Sequence, residues 1–262
     1  MKSLKKDKLD IRIYDTRKEM GEAAAADIEA AVCEVLKTKD CCNMIFAAAP
    51  SQNEVLEALA ASKKIDWSRV NAYHMDEYIG LAQDAPQGFA NFLRRGLFDK
   101  VPFASVNCLD STNEPNTECE RYGALLSANP TDIVCMGIGE NGHIAFNDPH
   151  VADFHDTHKV KIVDLDETCR MQQVHDGCFE SLDQVPKQAL TLTIPTLTAP
   201  KYVFCVVPAS TKAAAVERTV NGSVSETCPA SILRQHDRAI LYLDLYLQNP
   251  THIVSFLYQI IY

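Results

Sequence analysis

Short apolar runs recur along the chain, and each is followed by a polar loop and then by apolar residues at helical spacing. The runs cover residues 43–48, 70–74, 132–136, 202–207 and 239–243. Their apolar residues are continuous rather than alternating, which is typical of strands that are covered on both faces. The pattern therefore predicts an α/β fold with a mostly parallel, doubly wound sheet and helices on both faces.

Two helix starts can be recognised from their capping residues. Thr16 and Glu19 form a capping box ahead of apolar residues at helical spacing, which predicts a helix that ends near Lys37. Ser51 is followed three residues later by Glu54, and this pair predicts a second helix with Ser51 as its N-cap. Since no Gly/Ser/Pro-rich stretch or charge block marks a linker, we expect one domain over residues 1–262.

Composition narrows the classes of partner. The formal net charge of -10 disfavours nucleic acid and anionic membrane surfaces, but a few backbone N–H groups and one lysine can still bind a phosphorylated small molecule. The first residues lack the apolar core of a signal peptide, so the expected location is the cytoplasm. The 10 cysteines are scattered without a C-x-x-C pair, and we expect no metal site among them.

In a doubly wound sheet, ligands bind beyond the carboxyl ends of the strands. Polar loops follow four of the predicted strands at that edge, at residues 47–51, 75–78, 137–143 and 208–212. We expect these four loops to converge on one site.

The loop at 75–78 places two adjacent carboxylates, Asp76 and Glu77, directly after an apolar strand. Charge is costly in such a place unless it binds something, so a general base could lie here. The alternative is that Asp76 is a helix N-cap with Glu77 in the first turn. The two adjacent carboxylates are compatible with both interpretations.

The loop at 137–143 contains Gly137, Gly139 and Gly142 in the spacing G-x-G-x-x-G and ends at His143. The glycines offer backbone N–H groups to a phosphate or a sugar ring. Nucleotide binding is disfavoured, because no acidic residue follows about 20 residues later in the expected strand context. His143, five residues before Asp148, could shuttle protons or could be a purely structural histidine.

The loop at 208–212 places Ser210, Thr211 and Lys212 at a predicted helix start. Hydroxyl, N–H and ammonium groups together are typical of a phosphate site. The alternative is a helix cap followed by a solvated surface lysine.

Taken together, these motifs resemble the glucosamine-6-phosphate deaminase/isomerase family. Residues 75–78 read M-D-E-Y, and residues 137–149 are similar to the family's most diagnostic stretch, G-x-G-x-D-G-H-I-A-F-N-E-P. Residues 184–191, 210–212 and 230–236 extend the resemblance along the chain in the same order.

The resemblance implies a Rossmann-like fold and an enzyme of amino sugar catabolism. Such an enzyme converts glucosamine 6-phosphate, or galactosamine 6-phosphate, and water to the ketose 6-phosphate and ammonium. Neither the aldose-to-ketose shift nor the opening of the sugar ring needs a redox cofactor, so we expect none. Family members range from monomers to hexamers, and the resemblance is compatible with a homo-oligomer.

The resemblance also implies roles for individual residues. Asp76 would be the base that moves a proton between C2 and C1, and His143 would assist opening of the pyranose ring. Asp148 would orient that histidine, with Asn141 as its neighbour in the motif. The sugar phosphate would contact a larger set: Ala48, Ala49, Ser51, Glu77, Gly137, Gly139, Gly142, Arg170 and Lys212.

The chain departs from the family pattern in three places. Asn141 stands where the family usually has aspartate and Asp148 where it usually has glutamate, from which we expect a shifted pH profile. Alanines at 47–49 replace a glycine-rich, threonine-containing phosphate loop, which leaves Ser51 as a hydroxyl that could compensate. Arg170 lies farther from the Q-V-P-K segment at 184–187 than in the best-known members.

Two other functions are compatible with the motifs. One is a 6-phosphogluconolactonase, although the histidine motif of that enzyme continues differently. The other is a sensor that binds a sugar phosphate without turnover, although no helix-turn-helix segment or basic face accompanies the domain. Around Val151, Lys159 and Lys161 the effector-binding pattern of the allosterically regulated members is not reproduced.

Overall fold

The computed structural model describes residues 1–208 and 210–245, and the side chain of Ser210 is outside this description. The serine hydroxyl predicted at the start of the last phosphate loop therefore lies outside the described residues, as does the end of the predicted domain. Among the described helices, none combines the length and the apolar composition needed to cross a membrane.

The large sheet has eight strands. They are β1 (Lys2–Lys6), β2 (Leu9–Tyr14), β3 (Cys42–Phe46), β4 (Val70–His74), β6 (Ser105–Asn107), β7 (Ile133–Met136), β10 (Tyr202–Val207) and β11 (Ala239–Asp244). Their order is β1-β2-β11-β10-β7-β3-β4-β6, and every pair is parallel except β1 with β2. The mostly parallel sheet predicted from the sequence is confirmed.

Seven helices accompany the strands in the described part of the chain. They are α1 (Arg17–Leu36), α2 (Asn53–Ala61), α3 (Phe89–Leu93), α4 (Pro115–Ala128), α5 (Glu167–His175), α6 (Ile194–Thr198) and α7 (Ala213–Asn221). A one-turn π-helix, Arg94–Phe98, continues α3.

The continuous apolar runs are explained by two cores, one on each face of the large sheet. Along β3, Met44 and Phe46 belong to the core that contains α1 and α2, whereas Ile45 belongs to the core that contains α4 and α7. Neighbouring side chains of a strand point to opposite faces, so both faces of β3 are buried.

A second, antiparallel sheet was not predicted. It contains β5 (Asp76–Tyr78), β9 (Gln188–Leu192) and β8 (Val160–Asp164) in that order. In β5, Asp76 pairs with Thr191. The alternative that Asp76 caps a helix is therefore wrong, because the residue lies in a strand.

The two predicted helix caps have different outcomes. Thr16 Oγ1 accepts a hydrogen bond of 3.1 Å from Glu19 N, and α1 ends within one residue of the predicted end. Ser51 does not cap α2, since a 3-10 turn, Pro50–Gln52, precedes that helix and no side chain caps either element. Proline at the start of the turn moves the helix start past Ser51, whose hydroxyl is left for other contacts.

Candidate active site

Loops that follow β3, β4, β7 and β10 line one cavity at the carboxyl edge of the large sheet. Eight of the residues predicted to act on the substrate lie in its wall: Ala48, Ala49, Ser51, Asp76, Gly137, Gly139, His143 and Lys212. The four-loop arrangement expected from the sequence is therefore what the structure shows.

Asp76 brings a carboxylate into the cavity wall that is only 7% exposed. No hydrogen bond from another described residue reaches its carboxylate. Burial raises the pKa of Asp76 to about 7, with a smaller increase from Glu77 and a decrease from the positive charge of His74. A carboxylate with a pKa near neutrality can both take up and return a proton at physiological pH.

Glu77 faces away from the cavity, although the sequence predicts that it contacts the substrate. Its carboxylate accepts hydrogen bonds from Phe89 N at 3.0 Å and Ala90 N at 2.9 Å, and so caps the start of α3. Its Oε2 also lies 3.6 Å from His74 Nε2. The pleat of β5 directs the side chains of Asp76 and Glu77 to opposite sides, so that Glu77 lies outside the cavity wall.

His74 and Glu77 form a buried ion pair beside Asp76. Burial lowers the pKa of His74, but hydrogen bonds with Cys108 and Glu77 outweigh it and raise the pKa to about 10. Burial likewise raises the pKa of Glu77, and the bonds to His74 and to the two amides reverse this, so that it is lowered overall. Neither side chain lies in the cavity wall, so the pair adds no proton donor to the site.

His143 lies directly against Gly139. A Cβ built on Gly139 would be 2.1 Å from His143 Cε1, which explains why a glycine is needed there. Gly142 has a different role: its φ of +90° suits glycine, and a Cβ there would be 2.8 Å from Cys228 Sγ. Gly142 is not in the cavity wall, so its predicted substrate contact is corrected to a structural one.

Asn141 and Asp148 hold the imidazole of His143. Its Nδ1 lies 2.8 Å from Asn141 Oδ1 and 3.0 Å from Asp148 Oδ1. Both partners are acceptors, so we assign the ring proton to Nδ1, which leaves the lone pair of Nε2 for a substrate proton. Asp148 is fully buried, and although burial raises its pKa, bonds from His143 and Asn141 lower it overall.

The side-chain amide of Asn141 both donates and accepts hydrogen bonds. Asn141 Nδ2 donates 2.9 Å hydrogen bonds to Asp148 Oδ1 and to Asp166 Oδ2, while its Oδ1 accepts from His143 N at 3.0 Å. An aspartate could not donate to two carboxylates. The departure from the family pattern at this position is therefore matched by the presence of Asp166.

Lys212 is a buried cation, not the solvated surface lysine of the alternative interpretation. It is 5% exposed, and no described residue accepts a hydrogen bond from its Nζ. Glu140 Oε1 and Asp176 Oδ2 lie 3.7 and 4.0 Å from Nζ. Burial lowers the pKa of Lys212 while these carboxylates oppose the decrease. A buried ammonium without an acceptor is suited to an anionic ligand.

Arg170 does not reach the cavity. Its guanidinium donates to Leu182 O at 2.7 Å and to Val185 O at 2.9 Å, which ties α5 to the following loop. The structure therefore does not bring Arg170 together with the other residues predicted to bind phosphate, because these two carbonyls hold the guanidinium outside the cavity wall.

Sequence reasoning missed part of the cavity wall. Arg17, Gln172, Gln173, Asp176 and Ala145 also line it. Ala145 has a φ of +48°, a strained value for a residue with a Cβ that is often found at functional sites. Its place within the histidine motif was the one available signal, since the others lie in or next to α1 and α5, outside the loops that the sequence assigned to the site.

Two groups of potential metal ligands in the described part of the chain share Asp148. One contains His143, Asp148 and Cys169, the other Asp148, His150 and Asp166, and within each group the ligand atoms lie within 4.8 Å of one another. Burial, reinforced by Asp148 and Asp166, raises the pKa of the Cys169 thiol well above its ordinary value. Asn141 and Asp148 lie at Nδ1 of His143, which leaves Nε2 for proton transfer.

Comparison with known proteins agrees with this geometry. The model of the family described as glucosamine-6-phosphate isomerases/6-phosphogluconolactonase matches residues 15–242. Glucosamine-6-phosphate deaminases of Bacillus thuringiensis (strain Al Hakam) and Bacillus cereus (strain B4264) are 33% and 34% identical over 237 residues, which is 90% of this chain and 87% of each relative.

Solved structures share the fold. The structure of a monomeric glucosamine-6-phosphate deaminase superposes with a TM-score of 0.82 at 27% identity, covering 90% of this chain and 97% of that one. A 6-phosphogluconolactonase from Thermotoga maritima gives 0.74 at 20% identity, over 90% of this chain and 100% of that one, which shows the fold alone. The chain therefore belongs to the glucosamine-6-phosphate isomerase/6-phosphogluconolactonase family.

Proposed function

We propose that this protein is an amino sugar 6-phosphate deaminase that converts glucosamine 6-phosphate and water to fructose 6-phosphate and ammonium. The observation that carries the proposal is the joint placement of Asp76 and His143 in one cavity wall. An aldose-to-ketose shift needs a base over C1 and C2, and ring opening needs an acid/base group near the ring oxygen. Asp76 and His143 come from different strand ends and supply these two groups.

Asp76 moves the proton between C2 and C1. Because burial raises its pKa to about 7, the carboxylate accepts the C2 proton and the acid returns it to C1 without a large energetic penalty on either side. Loss of the C2 proton, with transfer of a proton from the amine to O1, gives an enolamine with a double bond between C1 and C2. Return of the proton to C1 gives an iminium at C2; water adds there and the C2–N bond breaks, so that the ketone and ammonium are released.

His143 opens the pyranose ring. With the proton of Nδ1 held by Asn141 and Asp148, Nε2 takes the proton from the C1 hydroxyl and delivers it to the ring oxygen. Asp148 stabilises the imidazolium formed between these two steps.

The phosphate is bound by other residues of the cavity wall. Lys212, Ser51, Ala48 and Ala49 all lie in it, and they offer an ammonium group, a hydroxyl and backbone N–H groups. Ser51 Oγ accepts from Gln52 Nε2 at 3.1 Å, so its own proton remains available to a phosphate oxygen.

Ammonium release is the experiment that separates the candidate functions. Glucosamine 6-phosphate and galactosamine 6-phosphate are compared as substrates, and hydrolysis of 6-phosphogluconolactone is measured in parallel. We expect ammonium from an amino sugar phosphate and lactone hydrolysis no faster than the uncatalysed rate. Lactone hydrolysis without ammonium would instead assign the chain to the lactonases, and tight binding of glucosamine 6-phosphate without either reaction would identify a sensor.

A further inference from the structure

Arg17 is a cation in the cavity wall that the mechanism above does not use. It is the first residue of α1, and its side chain is 33% exposed. It lies beside the loop that contains Ala48, Ala49 and Ser51, since its guanidinium donates to Pro50 O.

The guanidinium is held in place by two contacts that leave part of it unused. Nε donates to Glu54 Oε1 at 2.6 Å, and one terminal nitrogen donates to Pro50 O. The other terminal nitrogen has no hydrogen-bond partner within the described part of the chain. A guanidinium fixed on one edge presents its remaining donors in a defined direction, at a low entropic cost for ligand binding.

The charge balance of the cavity calls for a second cation. A sugar phosphate carries about two negative charges at neutral pH. Lys212 supplies one positive charge, but Glu140 and Asp176 already lie 3.7 and 4.0 Å from its Nζ. Arg170, the other predicted phosphate ligand, is bound to backbone carbonyls outside the cavity. Arg17 lies in the cavity wall, and although Glu54 pairs with its Nε, its second terminal nitrogen keeps its donors for an anion.

The loop next to Arg17 lacks the donors that such a site needs. Positions 47–49 are alanines, which contribute backbone N–H groups and no hydroxyl. Arginine presents paired N–H donors that match two phosphate oxygens.

We propose that Arg17 is a phosphate ligand of this site, binding the substrate phosphate together with Lys212 and replacing both the missing loop hydroxyls and Arg170. The assignment rests on the proposed sugar phosphate substrate. Glu54 is then a positioning residue, which acts through the guanidinium.

The test compares Arg17→Gln and Arg17→Lys with Lys18→Ala, a neighbour on α1 that is 80% exposed and pairs with Glu22. Binding of inorganic phosphate and of glucose 6-phosphate is measured by calorimetry, and KM and kcat are measured with glucosamine 6-phosphate. We expect Arg17→Gln to weaken both ligands and raise KM by about 10- to 100-fold, the usual effect of losing a charge-assisted hydrogen bond. Arg17→Lys should fall between Arg17→Gln and the wild type, kcat should change much less than KM, and Lys18→Ala should match the wild type.

The binding arm separates this inference from the proposed function. Suppose that the wild type binds phosphate but releases no ammonium, and that Arg17→Gln binds phosphate more weakly than the wild type. The proposed reaction is then wrong and the assignment of Arg17 stands. If Arg17→Gln binds both phosphate ligands like the wild type and only its melting temperature falls, Arg17 is a structural clamp between α1 and the loop, and the inference is overturned. Arg17→Lys keeps the test decisive if Arg17→Gln does not fold.

Discussion

The imidazole of His143 packs on Gly139 so closely that a methyl group at position 139 would lie 2.1 Å from the ring. Gly139 and His143 are the first and last residues of one loop, residues 139–143. The loop is closed by a 2.9 Å hydrogen bond from Gly139 N to His143 O. The loop therefore fixes one face of the ring, while Asn141 and Asp148 hold its Nδ1.

Gly139→Ala tests this relationship. The added methyl group should displace the imidazole and lower kcat by about 10²-fold, as expected for a catalytic group moved by about 1 Å. Gly123→Ala on α4 is the matched control, because a Cβ there has ordinary contacts of 3.5 Å or more. That change should leave kcat unaltered and stabilise the helix slightly, by about 1 kcal/mol or less. Equal kcat values in the two variants would contradict the account of the loop.

Asn141→Asp restores the residue that the family usually has, and we expect it to destabilise this protein. It would place a third carboxylate within hydrogen-bonding distance of Asp148 and Asp166 and remove both donors of Asn141. Stability should fall by about 1–3 kcal/mol at pH 8. The loss of stability should be smaller at pH 5, where the added carboxylate can be protonated. Thermal unfolding of the wild type and the variant at both pH values measures the difference. An unchanged melting temperature at pH 8 would show that Asp166 does not need an amide donor.

Asp76→Asn should stabilise the protein in alkaline solution. The pKa of Asp76 is raised from 3.8 to about 7, so between these values the folded protein holds a proton that the unfolded chain releases. Stability contributed by this group is therefore lost as pH rises through that window. The melting temperature of Asp76→Asn should exceed that of the wild type at pH 8 and equal it near pH 4. A variant less stable than the wild type at pH 8 would mean that the carboxylate is not desolvated.

Ser51→Ala and Lys212→Ala test the phosphate end of the cavity. Because Ser51 does not cap α2, its replacement should leave stability within about 0.5 kcal/mol of the wild type. Both changes should raise KM for glucosamine 6-phosphate, by about 10-fold or more for Lys212→Ala, with little effect on kcat. Steady-state kinetics and thermal unfolding are measured together. An unchanged KM in Lys212→Ala would remove this lysine from the phosphate site.

Activation by N-acetylglucosamine 6-phosphate, known in regulated family members, should be absent. Lys161 Nζ is already bound to Val151 O at 2.7 Å and to Asp156 Oδ2 at 3.1 Å, so this cation is committed within the chain. Rate curves should be hyperbolic with and without the acetylated sugar. A lower half-saturating substrate concentration on adding it would show that other residues, such as His150 or His158, rebuild an effector site.

Much of the fold could be predicted from the sequence because burial on both faces leaves a clear pattern. The runs at 70–74 and 202–207 coincide with β4 and β10. The small antiparallel sheet was missed, since β5 has three residues and its partner β9 is more than one hundred residues away in the sequence. A pairing so distant leaves no local signal.

The site was predicted as far as its motifs reached. Asp76, His143 and Lys212 lie in the cavity as expected, because each follows a strand whose carboxyl end faces it. Glu77 and Arg170 were misplaced, since their side-chain directions depend on a strand pleat and on backbone carbonyls that the sequence does not show. Arg17 was missed because the capping box at Thr16 and Glu19 predicts a helix start but gives no indication of which loop that start meets.

The most direct test of the central claim measures ammonium release from glucosamine 6-phosphate by the wild type and by Asp76→Asn, with binding of the sugar phosphate measured by calorimetry. We predict that the wild type releases ammonium and that Asp76→Asn binds the sugar phosphate with similar affinity while its turnover falls by about 10²-fold or more. Turnover undiminished in Asp76→Asn, or a wild type that releases no ammonium, would contradict the assignment of Asp76 as the base of an amino sugar phosphate deaminase.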